Sequence, residues 1–326
     1  MRPPSRNKSP SRPTDGAKGL SMSGNNNKTL KLEVFAKVNL SLRILGRLEG
    51  GYHSLETIFQ NVSLSDKLTV NTTPGKVIVH CDAPRVPEGE DNTAHKAATL
   101  CLKRLGISDR GVEIRIEKGI PARAGLGGGS ADAAGAIVAC ERLFGPLPGG
   151  DSTRFALAAS VGADVPFMLC GGRALAWGIG ERMLRLPVKK RTALIVVIPH
   201  IPVSTSWAYR ALDNAQAEGN YTETMELNGG PLRWEEIIGT LGPQDTMVND
   251  FEPVVYAHHP GLREAKQMLH ESGASVALLS GSGSGIFGLY SSIKKRNAAL
   301  KKLAAGQDEF RVVGAEFIDH AYRILD

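Results

Sequence analysis

Apolar and polar positions begin to alternate at Lys31, after a leader with no apolar period. Leu32-Glu33-Val34-Phe35-Ala36-Lys37-Val38-Asn39-Leu40-Ser41-Leu42-Arg43-Ile44 keeps a partial two-residue period, which predicts a strand and marks the start of the folded chain. A glycine-rich turn over 46–51 leads into a second strand over 52–62. Shorter strands are expected at 67–70 and 76–80, an antiparallel arrangement with short loops. Asp91-Asn92-Thr93 then reads as a capping cluster for a helix whose apolar face is Ala94, Ala97, Ala98, Cys101, Leu102 and Leu105, stopped by Gly106. Val112, Ile114 and Ile116 alternate with Glu113, Arg115 and Glu117, a half-buried strand.

Helical patterns follow at 131–144 and 152–160, and Asp164-Val165-Pro166 begins a short turn toward 167–169. The later chain predicts strands at 194–198, 276–279, 286–290 and 310–313, with helices at 206–216, across Leu262, Ala265, Met268 and Leu269, and at 294–305. A polar stretch occupies 217–230. Helices and strands mix without regular βαβ repetition, so the expected class is α+β rather than a doubly wound parallel sheet. No internal repeat is visible. A boundary near 187–191 divides the chain into a domain over 29–188 and a second over 189–326, preceded by a disordered tail over 1–28.

Charge sharpens the reading of that tail. The 326 residues carry a net +6, and Arg2, Arg6, Lys8, Arg12, Lys18 and Lys28 stand against Asp15 alone, so five of those six charges sit in the tail. The body is not basic, and nucleic acid is not an expected partner. A Ser-rich, acid-poor tail also fits an organelle transit peptide, so a plastid is the alternative to the cytoplasm. No apolar run approaches the ~18 residues of a spanning helix. Cys81, Cys101, Cys140 and Cys170 lack any C-x-x-C spacing and read as buried free thiols of a reducing compartment.

The chemistry concentrates in Gly125-Leu126-Gly127-Gly128-Gly129-Ser130, between an alternating strand and a small-residue helix. Glycines there let the backbone approach a ligand, and their amides join the positive end of the helix dipole in a cradle for phosphate. G-x-x-x-x-G-K-[ST], H-R-D and D-F-G are all missing, which argues against P-loop NTPases and protein kinases. A G-x-G-x-x-G match at 283–288 runs into another strand instead of a helix, so it reads as a close-approach turn bordering the site rather than a dinucleotide fingerprint. Taken alone, Lys37 fits a strand lysine facing solvent, Asp164 a helix cap, and His53 an exposed loop residue.

Three blocks together resemble the GHMP kinase superfamily, most closely its branch acting on cytidyl-diphosphate-linked methylerythritol. They are Ala36-Lys37-Val38-Asn39-Leu40 with Gly51-Tyr52-His53-Ser54-Leu55-Glu56-Thr57; Ile120-Pro121 through Ala134 with Gly162-Ala163-Asp164-Val165-Pro166-Phe167; and Asn249-Asp250-Phe251-Glu252-Pro253-Val254 with Ser280-Gly281-Ser282-Gly283-Ser284-Gly285. The resemblance implies a GHMP kinase fold of two α/β subdomains with the active site in the cleft between them. It also implies transfer of ATP's γ-phosphoryl group to the 2-hydroxyl of CDP-methylerythritol, a step of non-mevalonate isoprenoid synthesis.

Carried over residue by residue, it puts ATP on Pro121, Ala122, Arg123, Ala124, Gly125, Leu126, Gly127, Gly128, Gly129 and Ser130, and Lys37 and Asp164 at the reacting hydroxyl, with Asn39 nearby. Tyr52 and His53 hold cytosine, and Tyr209, or else Trp207, stacks on the base's other face. Mg²⁺ accompanies ATP, with Ser130 the hydroxyl expected near it. Arg123 departs from the small residues usual before the loop. The resemblance further implies a cytoplasmic enzyme, monomeric or weakly homodimeric, with no membrane or nucleic-acid partner. A homoserine- or mevalonate-type kinase and a non-enzymatic nucleotide or sugar-phosphate sensor are the alternatives.

Overall fold

A computed structural model describes residues 28–84, 86–188, 191–218, 247–305 and 309–325. The basic tail up to residue 27 and most of the polar stretch, from 219 on, lie outside the described residues.

Two long strands dominate. β1 (Thr29–Arg47) pairs antiparallel along nearly its whole length with β2 (His53–Pro74). The strands expected separately at 52–62 and 67–70 are one element, β2. Val62, Leu64, Asp66 and Leu68 point inward while Ser63 and Lys67 face out. Uninterrupted alternation outweighs local hydrophilicity where one face is buried. The second half of β2 pairs with β4 (Arg110–Glu117), which pairs parallel with β3 (Ile78–Cys81). Its first half pairs instead with β5 (Arg173–Gly178), which forms a hairpin with β6 (Arg182–Leu186).

Helices α1 (Thr93–Arg104) and α2 (Gly128–Phe144) cover this sheet. α1 starts where the capping cluster placed it, with Asn92 Oδ1 accepting from the Ala94 N–H at 2.8 Å. α2 is alanine-rich and almost wholly buried, and α3 (Gly150–Val161) packs beside it. The expected turn after Asp164 is a short helix, α4 (Val165–Cys170), with Pro166 in its first turn, where a missing N–H costs nothing.

The second sheet has the order β10-β7-β9-β8, all antiparallel: β7 (Ala193–Pro199), β8 (Val276–Leu279), β9 (Ile286–Tyr290) and β10 (Phe310–Glu316). Both of its faces are apolar. Leu194, Val196, Leu278, Phe287 and Leu289 join the main core shared with the first sheet. Their neighbours Ile195, Val197, Leu279 and Ile286 face a second core under α5 (Thr205–Ala217), α6 (Glu252–His258), α7 (Pro260–Glu271) and the adjacent α8 (Ile293–Ala304). A strand buried on both sides reads as an unbroken apolar run.

The C-terminal strand β11 (Tyr322–Leu325) returns to pair with β1 in the first sheet. Of the segment expected as a second unit, 189–326, the last strand pairs in the first sheet. No helix among the described residues is long and apolar enough to cross a membrane.

Candidate active site

The expected cradle is the loop between β4 and α2. Gly127 is the N-cap of α2 at φ 72°, and no side chain caps the helix, so its leading amides are left for a ligand. Gly125, at φ 69°, shows why glycine is required: a Cβ there would lie 1.9 Å from the Ser280 carbonyl oxygen. That contact comes from the second glycine cluster, whose Gly285 N–H donates to the Ala124 carbonyl at 3.1 Å while Ser280 Oγ donates to the Gly125 carbonyl at 3.0 Å. The 283–288 motif is therefore a close-approach turn between β8 and β9 that braces the cradle. Arg123, alone among the described non-glycine residues, also takes a left-handed conformation, at φ 57°.

Lys37 is buried rather than turned to solvent. Its backbone N–H donates to the Leu126 carbonyl of the cradle at 3.0 Å, where β1 carries irregularities on either side of the Lys37–Asn39 segment. Its ammonium donates to Asn39 Oδ1 at 2.7 Å and lies 3.4 Å from the Asp164 carboxylate. Asn39 is fixed in turn, donating to Thr57 Oγ1 at 2.8 Å, and Thr57 donates to the Ser41 carbonyl at 2.6 Å. Asp164 occupies the N-cap position of α4 but makes no capping bond, and its side chain remains one-third exposed. The solvent-facing lysine and the capping aspartate are thus both set aside: the two side chains face each other at the cradle's edge.

An aromatic cluster forms where the start of β2 meets α5. His53, nearly buried at the start of β2, stacks on Tyr209 of α5 with ring centroids 4.6 Å apart and planes inclined by 21°. Tyr209 meets Phe251 edge-on at 4.9 Å. Burial, aided by the Asp164 charge, pushes the Tyr209 phenol up to about 12. Tyr52, the residue before His53, is 65% exposed and makes no ring contact among the described residues. Trp207 packs on His258 instead, at 4.7 Å, so of the two aromatics considered on α5, Tyr209 is the one brought to His53.

Residues 92–172 match the GHMP kinases N terminal domain and residues 229–309 the GHMP kinases C terminal domain. The 4-diphosphocytidyl-2-C-methyl-D-erythritol kinase of Geobacter metallireducens is 37% identical over 289 residues, covering 87% of this chain and 98% of that protein. This chain belongs to that kinase family. The enzyme of the same name from Acetivibrio thermocellus is 35% identical over 276 residues, covering 85% of this chain and 95% of that protein. A crystal structure of 4-(cytidine 5'-diphospho)-2C-methyl-D-erythritol kinase superposes with a TM-score of 0.71 at 35% identity, over 88% of this chain and 98% of that one. The fold is accordingly that of the GHMP kinases, enzymes that use ATP.

Within this kinase-family site, two features escaped the reading of the sequence. The first is a buried charge cluster at the two ends of the glycine loop. Lys118, at the end of β4, sits 2.5 Å from Asp66 of β2 and 2.8 Å from Asp132 of α2, while Asp66 also accepts from the Gly119 and Ile120 N–H groups. Removing the cation by Lys118→Met leaves the buried acidic pair Asp66 and Asp132 without its counter-ion, and a loss of about 3–5 kcal/mol of stability is expected in denaturant unfolding. Burial and the Asp66 carboxylate push Asp132 up to about 8 from 3.8. The folded protein therefore holds a proton that the unfolded chain has released, so this group's contribution is present below 3.8 and is lost as pH rises through about 8. Asp132→Asn, which cannot ionise, should flatten that decline in melting temperature against pH.

The second is Asp213, whose Oδ1 lies 2.6 Å from His53 Nε2. Only the helical spacing of Tyr209 and Asp213, one turn apart, could have linked the two beforehand.

Proposed function

We propose that the chain transfers the γ-phosphoryl group of ATP to the 2-hydroxyl of 4-diphosphocytidyl-2-C-methyl-D-erythritol, a step of non-mevalonate isoprenoid synthesis. The observation that carries this reading is the Lys37–Asp164 pair, 3.4 Å apart, beside an uncapped glycine cradle on one side and an aromatic stack on the other.

A neutral alcohol is a weak nucleophile. Asp164 accepts its proton as the oxygen closes on phosphorus, a role worth about 10²–10⁴-fold in rate. The bond from γ-phosphorus to ATP's bridging oxygen breaks and ADP leaves with the electron pair. Lys37, held by Asn39, offsets negative charge spreading over the transferred group, while the amides from Gly125 to Ser130 hold the remaining phosphates. The loose transition state makes positioning the larger share of catalysis.

Among the described residues no three His, Cys, Asp or Glu side chains form a metal cage. The oxygen donor present, the Ser130 hydroxyl at the start of α2, suits a hard cation; with ATP bound it would help hold Mg²⁺, which would supply neutralisation of the triphosphate charge. Pro121, Ala122, Arg123 and Ala124 line the approach to the cradle in this reading.

Cytosine is recognised at Tyr52, His53 and Tyr209, an aromatic pair and an imidazole able to match the base's edge. Tyr52→Ala should raise the KM for the cytidyl substrate about tenfold and leave the KM for ATP and kcat within about twofold, as expected for lost uniform binding. An unchanged KM removes Tyr52 from the site. The function itself is tested by purified protein, Mg-ATP and a panel of alcohols: ADP should form with 4-diphosphocytidyl-2-C-methyl-D-erythritol and not with homoserine or mevalonate. Turnover of either of the latter instead contradicts the reading.

A further inference from the structure

We infer that Asp213 is a positioning residue that sets the tautomer of His53 and, through it, the choice of cytosine over uracil; the second half of this statement rests on the substrate reading above. α5 presents Tyr209 and Asp213 one helical turn apart, so a single rigid element delivers both the ring that stacks on His53 and the carboxylate that bonds its edge. The contact is short, 2.6 Å, with the His53 side chain 7% and the Asp213 side chain 27% exposed. Among the described residues His53 is the sole hydrogen-bond partner of Asp213, and no arginine or lysine within ion-pair distance competes for the carboxylate.

A carboxylate can only accept. Nε2 of His53 must therefore carry the proton, and in the neutral ring Nδ1 is left as a lone-pair acceptor. Nδ1 has no hydrogen-bond partner among the described residues. It is also absent from the fully enclosed unpaired side-chain atoms, so the acceptor remains open to a ligand. An acceptor at this edge matches the exocyclic amine of cytosine, a donor, and opposes the carbonyl that uracil carries at the same position. Tyr209, stacked on one face of the imidazole, holds the plane in which that edge is presented. Discrimination thus comes from a proton fixed on the far side of the ring from the base.

Asp213→Asn tests this without emptying the space. Its amide either accepts from Nε2–H or donates to Nε2, so both tautomers become available. Long-range ¹⁵N–¹H correlation of the His53 ring in the ligand-free protein should show the Nε2–H form in the wild type and a mixture in the variant. A wild-type ring protonated at Nδ1 alone overturns the inference, whatever the substrate is.

In steady-state assays the variant should raise the KM for the cytidyl substrate and reduce the preference for it over its uridyl analogue, each about tenfold, with kcat and the KM for ATP within about twofold. A preference left unchanged, or equal losses in kcat and ATP affinity, overturns the positioning role. If wild-type protein turns over neither nucleotide substrate, the substrate reading fails, and with it the choice of base, while the ring spectrum still decides the tautomer.

Discussion

Asp164→Ala is expected to lower kcat with the cytidyl substrate by about 10²–10⁴-fold while the Kd for ATP, measured by calorimetry, changes by less than about twofold. The separation follows from where the carboxylate sits. Asp164 makes no capping bond to α4; its ion-pair partner is the Lys37 ammonium at 3.4 Å. Lys37 keeps its hydrogen bond to Asn39 in the variant, so the cradle retains the strand that supports it. Equal loss of turnover and ATP affinity would instead make Asp164 a structural residue of the loop before α4.

Gly125→Ala should have the opposite signature, with ATP binding lost along with activity. At φ 69° any side chain is strained, a cost of about 1–2 kcal/mol. The methyl would also lie 1.9 Å from the Ser280 carbonyl oxygen and 3.2 Å from that of Gly283. Both obstacles are backbone, so the two glycine clusters must separate. Displacements of about 1 Å at such a site cost on the order of 10²-fold in rate. Gly75→Ala is the control: it carries the same kind of strain at φ 86° but meets nothing within 4 Å, and should lose a little stability and no activity. A Gly125→Ala protein that binds ATP normally would show that the cradle does not depend on the close approach of these loops.

Much of this site was legible from residue types alone, because the cradle is a backbone device that only glycine and a helix start can build. Strands with clean alternation and helices with clear caps, such as α1 behind Asn92, were legible for the same reason. Neither β5 nor β6 was foreseen: Arg173 to Gly178 owes its strand to pairing with β2, a contact between segments more than a hundred residues apart. β11 is likewise defined by β1, from the far end of the chain. Lys37 and Asp164 each look ordinary in sequence and acquire meaning only across the space between β1 and α4, so the family resemblance, rather than local pattern, joined them. Lys118 was passed over because a lysine beside a loop is usually solvated; two acidic residues from different elements converge on it and make it a clamp.

The central claim is that the carboxylate–ammonium pair delivers ATP's terminal phosphoryl group to one particular hydroxyl. ³¹P NMR of the reaction with 4-diphosphocytidyl-2-C-methyl-D-erythritol reads this directly, since the 2-carbon carries no hydrogen. The account predicts ADP together with a new phosphomonoester signal free of three-bond proton coupling. Inorganic phosphate in place of the monoester, or a monoester split by the protons of a neighbouring carbon, would contradict it.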